Sequence, residues 1–125
     1  MGLDINLCKR EKSSSNKDKW ESICYWRKAN QIRDWFSRTL DDFEDNGDTP
    51  VTKSDLELLL EDCKKVLKNH DLCDEVLPSS SGFFFGSTDY DEYYFNDIQF
   101  TVDKLTEILD TTDFDKYDVI YHEWY

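Results

Sequence analysis

Residues 22–43, SICYWRKANQIRDWFSRTLDDF, place Tyr25, Ala29, Ile32, Phe36, Leu40 and Phe43 at steps of three and four, with Trp26 and Trp35 widening the stripe. That spacing predicts one long amphipathic helix, because residues three and four apart share a face of a 3.6-residue helix. Asp45-Asn46-Gly47-Asp48-Thr49-Pro50 then ends it with turn chemistry: Gly47 tolerates positive φ and Pro50 cannot continue a helix.

Toward the N-terminus, residues 3–9 alternate Leu3, Ile5 and Leu7 with Asp4, Asn6 and Cys8, the period of two that marks a half-buried strand. Residues 11–19 are rich in Lys, Ser and Asn, without apolar anchors, and read as a mobile loop or hairpin tip.

Toward the C-terminus, Ser54 and Glu57 have capping-box spacing, and Leu56, Leu59, Leu60, Cys63, Val66 and Leu67 form the apolar face of a second helix. Asn69 and His70 close it, and 71–77 reads as a short helical turn before Pro78. Residues 79–82 are a loop, and Phe83-Phe84-Phe85 between two glycines reads as a connecting strand that extends the sheet. Ser87 or Thr88 can cap a third helix running from about 89 to 109 with Tyr94, Ile98, Val102, Leu105 and Leu109 inward. Residues 117–125, YDVIYHEWY, are β-branched and aromatic and read as a terminal strand. The expectation is a single α+β domain over 1–125: three amphipathic helices packed on a small sheet formed by the N- and C-terminal strands.

Charge divides along the chain. Residues 1–38 hold nine Lys/Arg against five Asp/Glu, and residues 39–125 hold six against twenty-three, giving −13 in all. Such a field repels nucleic acid and anionic membranes from most of the surface and attracts basic partners. Aromatic content of 15% supplies a core that disordered acidic chains lack. There is no apolar run near 18 residues and no basic n-region at the start, so the expected location is the cytoplasm, without a membrane. Met1-Gly2 opens like a myristoylation signal, but Asn6 stands where Ser or Thr is required. Cys8, Cys24, Cys63 and Cys73 include no C-x-x-C pair and read as reduced thiols filling the core.

No nucleophile elbow, zinc-protease or dinucleotide motif occurs, and the expectation is a protein that is not an enzyme, with no catalytic residues and no cofactor. A Ca²⁺ loop starting at Asp42 would match at Glu44, Asn46 and Gly47 but has Pro50 ninth and Lys53 twelfth, where a bidentate Glu is needed. Cys63, His70 and Cys73 match no common zinc spacing, so no metal is expected. Arg27, Asn30 and Arg33 or Gln31 could converge on an anion from one helical face, with Lys28 adding a further cation and Phe84 or Tyr90 stacking on a base; the alternative is that these cations pair with surplus carboxylates. Asp41, Asp42, Glu44, Asp45, Glu57, Glu61, Asp89, Asp91 and Glu92 are the candidate partner-binding carboxylates.

Met1-Gly2-Leu3-Asp4, Tyr25-Trp26-Arg27-Lys28-Ala29-Asn30 followed by Trp35-Phe36, Leu77-Pro78, and Gly82-Phe83-Phe84-Phe85-Gly86-Ser87-Thr88 running into Tyr90-Asp91-Glu92-Tyr93-Tyr94 span most of residues 1–105. In these motifs the chain resembles a family of small proteins encoded by bacteriophages, prophages and other mobile elements. The resemblance implies a setting in which small phage proteins counteract host defence. Two readings follow: an inhibitor whose acidic surface mimics nucleic acid and occludes a basic host defence protein such as a CRISPR nuclease, or a small-ligand binder that sequesters a nucleotide immune signal.

Overall fold

The computed structural model describes residues 2–15, 19–82 and 86–125. Its elements are β1 (Asp4–Glu11), β2 (Glu21–Arg27), α1 (Asn30–Thr39), β3 (Asp48–Val51), α2 (Lys53–Lys68), a 3₁₀ turn (His70–Leu72), α3 (Cys73–Val76), α4 (Glu92–Thr111) and β4 (Tyr117–Trp124). The fold is α+β, and the N- and C-terminal strands are sheet neighbours as expected: β1 and β4 pair antiparallel from Asp4 opposite Trp124 to Glu11 opposite Tyr117.

The stretch 22–43 is not one helix. Its first part is β2, paired antiparallel with β1 through the hairpin, and only its second part is α1. In 21–27 the buried side chains are Cys24 and Trp26, two apart, whereas Tyr25, counted on the helical stripe, is 46% exposed. Tyr25 instead donates its hydroxyl to Asp4 Oδ1 across the strand pair at 2.5 Å. Local helical spacing loses here because the hairpin pairs β2 with β1 along its length, apart from a register shift at Ile23, and β-branched and aromatic residues suit a pleated, half-buried surface.

Residues 48–51, read as part of a turn, form β3, so the sheet among the described residues has four strands in the order β2-β1-β4-β3. Thr49 and Val51 point into the core, and Pro50 is tolerated because β3 is an edge strand with no outer neighbour for its missing N–H. The expected strand at Phe83-Phe84-Phe85 lies outside the described residues.

Two caps also differ from expectation. Helix α2 is capped two residues earlier than Ser54 and Glu57 would place it: Thr52 accepts from the Asp55 N–H at 3.1 Å and Asp55 accepts from the Thr52 N–H at 2.9 Å. Helix α4 is capped by Asp91, which accepts from the Tyr94 N–H at 3.2 Å, rather than by Ser87 or Thr88. The acid is favoured at this end by the helix dipole as well as by the hydrogen bond.

Side-chain alternation puts Ile5, Leu7, Cys24, Trp26, Val119 and Tyr121 on the covered face of the sheet. The helices pack there, with Leu56, Leu59, Cys63 and Val66 of α2 and Ile98, Leu105 and Ile108 of α4 buried. Each fully buried aliphatic side chain contributes about 1.5–3 kcal/mol of hydrophobic free energy. At the centre Phe36 meets Tyr121, Trp35 and Trp26 with ring centroids 4.4, 5.2 and 6.4 Å apart. The Trp26 indole N–H donates to buried Thr101 at 2.8 Å and so registers α4 on β2. No described helix is long and apolar enough to cross a membrane.

Candidate functional site

The start of α1 organises one end of the molecule. After β2 the chain must leave the sheet, and Lys28 makes the turn with φ of +56°, its N–H donating to the Leu3 carbonyl at 2.7 Å. Gly86, at φ of +82°, packs against that turn so closely that a Cβ there would stand 3.1 Å from the Lys28 Cβ. Asn30, buried, then uses both ends of its carboxamide: Oδ1 accepts from the Ser80 N–H at 2.9 Å and Nδ2 donates to the Ser87 carbonyl at 2.8 Å. Tyr94 donates its hydroxyl to the Leu77 carbonyl at 2.6 Å, fixing the same segment from α4.

These contacts create a cleft of about 270 Å³ lined by Arg27, Lys28, Asn30, Asp89, Asp91 and Asp97, among others. Three members of the expected anion-binding set are therefore neighbours, but carboxylates from the expected partner-binding set face them. Asp97 is pushed up to about 6 by burial, opposed by a hydrogen bond from Gln31 and reinforced by the charge of Asp91. Tyr90 is committed to the loop, its hydroxyl accepting from the Ser79 N–H at 3.2 Å. Phe84 lies outside the described residues.

Arg33 does not join that cleft. One turn along α1 it grips Glu123, with Nε 3.0 Å from Oε1 and Nη2 3.1 Å from Oε2, and extends Nη2 to Asp45 at 2.8 Å. Glu123 is completely buried, and its carboxylate also accepts from the Asn46 N–H at 2.9 Å and the Tyr121 hydroxyl at 2.7 Å. Phe43 and Tyr125 flank the guanidinium at 5.3 and 5.4 Å. A hydrogen bond from the Tyr125 hydroxyl holds Asp45 below the usual carboxylate range, helped by Arg33, and the same carboxylate pushes Tyr125 up. Sequence reasoning missed Glu123; its only signal was an acid at an inward position of the terminal strand, two residues from Tyr121.

The nine candidate carboxylates divide in three. Asp45 is spent on Arg33 and Tyr125, and Asp91 caps α4. Glu57 and Glu61 are exposed on α2, but that helix carries Lys53, Lys64, Lys65 and Lys68 against Asp55, Glu57, Glu61 and Asp62, so its own charge balances. Asp41, Asp42 and Glu44, after α1, and Asp89 and Glu92, before and at the start of α4, are exposed and have no ion pair among the described residues. These two acidic loops share an anchor: Asn30 holds the segment leading to Asp89, and Arg33, three residues on along α1, holds Asp45. Among the described residues no group of three or more His, Cys, Asp or Glu is placed to hold a metal ion.

At the opposite end of the sheet, the β1–β2 hairpin contributes Arg10, Lys12 and Trp20 to a groove that sequence reasoning did not foresee; of these only Lys12 falls in the segment 11–19 read as a loop. No family model, curated protein or solved structure matches this chain.

Proposed function

We propose that this chain is a binding protein that docks onto the basic surface of a host defence protein in the bacterial cytoplasm, as expected for a counter-defence inhibitor, with a CRISPR nuclease as the type of target. The observation that carries this reading is the pair of acidic loops anchored by the first turn of α1, with Asp41, Asp42, Glu44, Asp89 and Glu92 exposed and unpaired among the described residues. Unneutralised carboxylates on an anchored scaffold offer phosphate-like charge to Lys and Arg without the cost of ordering a flexible tail. The patch is built from loops rather than from α2, whose lysines cancel its acids. It acts by occupancy, and nucleic acid and membranes are not its direct partners.

The ligand-sequestering alternative at Arg27, Lys28 and Asn30 is weaker. Both ends of Asn30 are occupied by backbone, Arg33 is committed to Glu123, and Asp89, Asp91 and Asp97 share the cleft where a phosphate would sit.

Expressing the chain in bacteria that carry different defence systems tests the proposal by asking which restriction of phage is lost. Loss of one system's activity, abolished by reversing Asp41, Asp42 and Glu44 to Lys, is the expected result. Intact restriction by every system, or target binding unchanged between low and high salt, refutes it.

A further inference from the structure

Strand β3 ends at Val51 opposite Val119, whereas β4 begins two residues earlier, at Tyr117. Where β3 leaves the sheet to start α2, a groove of about 640 Å³ opens beside Tyr117 and Asp118. That lies within the ~300–1,000 Å³ of small-ligand sites. The hairpin closes its far side: Arg10 stands opposite Asp118 in the β1–β4 register, and its guanidinium lies 4.2 Å from the ring centroid of Trp20.

The groove's charge is opposite in sign to the net charge of the chain. Arg10, Lys12 and Lys53 supply three cations, while Trp20, Phe114 and Tyr117 supply three aromatic rings. Asp118 is the one carboxylate on the wall; it reaches Lys12 only at 4.0 Å, and Lys53 has no ion pair among the described residues. In a chain of −13, cations and aromatic rings gathered around a ligand-sized hollow offer complementary charge and contact to an anion that carries a ring.

We infer that this groove binds a nucleoside phosphate, the base against the aromatic wall and the phosphate between Lys12, Lys53 and Arg10. An arginine fork suits phosphate and also stacks, and every base has a π-face for Trp20 or Tyr117. The same chemistry exists in a free nucleotide and at the end of a nucleic-acid strand; the acidic remainder of the surface disfavours a long strand, so the free nucleotide is the expected form. The site stands apart from the acidic loops: Tyr117 and Glu123 are six residues apart on β4, roughly 20 Å at the rise of a strand. The inference does not depend on the docking proposal.

Titrating the full chain with adenosine monophosphate, inorganic phosphate, adenosine and a short oligothymidylate, followed by calorimetry and by the Trp20 indole resonance, tests it. Adenosine monophosphate should bind and shift that resonance, with phosphate and adenosine alone at least about tenfold weaker. Lys53→Ala and Trp20→Leu should each weaken binding about tenfold or more, and Arg27→Ala should leave it unchanged. Lys53 is exposed, so its variant stays folded even if Trp20→Leu does not. Tighter binding of the oligonucleotide, lost in the same variants, would assign the chemistry to a strand end. Absence of binding by the nucleotide and the oligonucleotide up to about 10 mM, or affinities indifferent to Lys53→Ala, would overturn the inference.

Discussion

Arg33 and Glu123, ninety residues apart in sequence, meet in a two-pronged ion pair that ties the first turn of α1 to the end of the terminal strand. Because Glu123 is fully buried, its charge depends on Arg33, the Asn46 N–H and the Tyr121 hydroxyl for all of its solvation. Removing one partner of such a pair costs about 3–5 kcal/mol, since the other is left charged and dry, whereas replacing both with apolar groups of similar size is close to neutral. Arg33→Ala is therefore expected to lower stability by that amount in urea titration, and Arg33→Met with Glu123→Leu to lose much less. Equal losses in the single and double variants would show that the pair is not acting as a unit.

Why this pair was not legible in the sequence is instructive. Periodicity reports which face of an element is apolar, and from it the two terminal strands and helices α2 and α4 were readable, because Leu3, Ile5 and Leu7, or Leu56, Leu59, Leu60 and Cys63, bury one face consistently. It fails where two periods coexist. Residues 22–29 satisfy a helical stripe through Tyr25 and Ala29 and a strand through Cys24 and Trp26, and only pairing with β1 decides between them. The same error misplaced Arg33 beside Arg27, because a continuous helix would have put both on adjacent turns, whereas the turn at Lys28 sends them to different neighbours. Partners as distant as Glu123 and the Asp45 turn are set by topology, which no local pattern encodes.

Asp97 gives the protein a destabilising carboxylate. Its folded value, up to about 6 through burial, stands above the ~3.9 of an unfolded Asp, so the folded state holds the proton more tightly. That contribution is fully present below the unfolded value and is lost as pH rises through about 6. Asp97→Asn should consequently stabilise the chain at pH 7.5, by about 1–2 kcal/mol once solvent screening of this half-exposed group is allowed for, and the gain should shrink as pH is lowered toward 5. Thermal melts of both proteins across this range measure it; a gain that grows with acidity would reverse the assignment.

Asn30 is expected to control the order of one acidic loop without controlling the core. Its two hydrogen bonds satisfy the Ser80 N–H and the Ser87 carbonyl, and an unsatisfied group of this kind costs about 1–3 kcal/mol when buried. In Asn30→Ala the amide of Ser80 should exchange faster and cleavage within 79–90 should accelerate, while α2 amides keep their protection. Asn30→Asp, which retains the acceptor for Ser80 and loses the donor to Ser87, should fall between. If α2 amides lose protection in parallel, Asn30 supports the whole fold and not the loop.

The four thiols should divide by burial. Burial pushes Cys24 up to about 12, against small opposing contributions from Lys104 and a backbone hydrogen bond, and it pushes Cys63 up as well. Cys8 and Cys73 are also raised, by burial first and then by Asp48 and Asp74 respectively, but both retain some exposure. Since the thiolate is the reactive form, none should match a free cysteine at pH 8, and Cys8 and Cys73 should be modified first. Cys24 and Cys63 should react only as fast as the chain opens, so denaturant should accelerate them far more than the other pair. Timed alkylation with mass mapping reads the order directly. Early modification of Cys63 would mean that α2 detaches from α4 without global unfolding, because Cys63 is fully buried on α2 and that helix packs against α4.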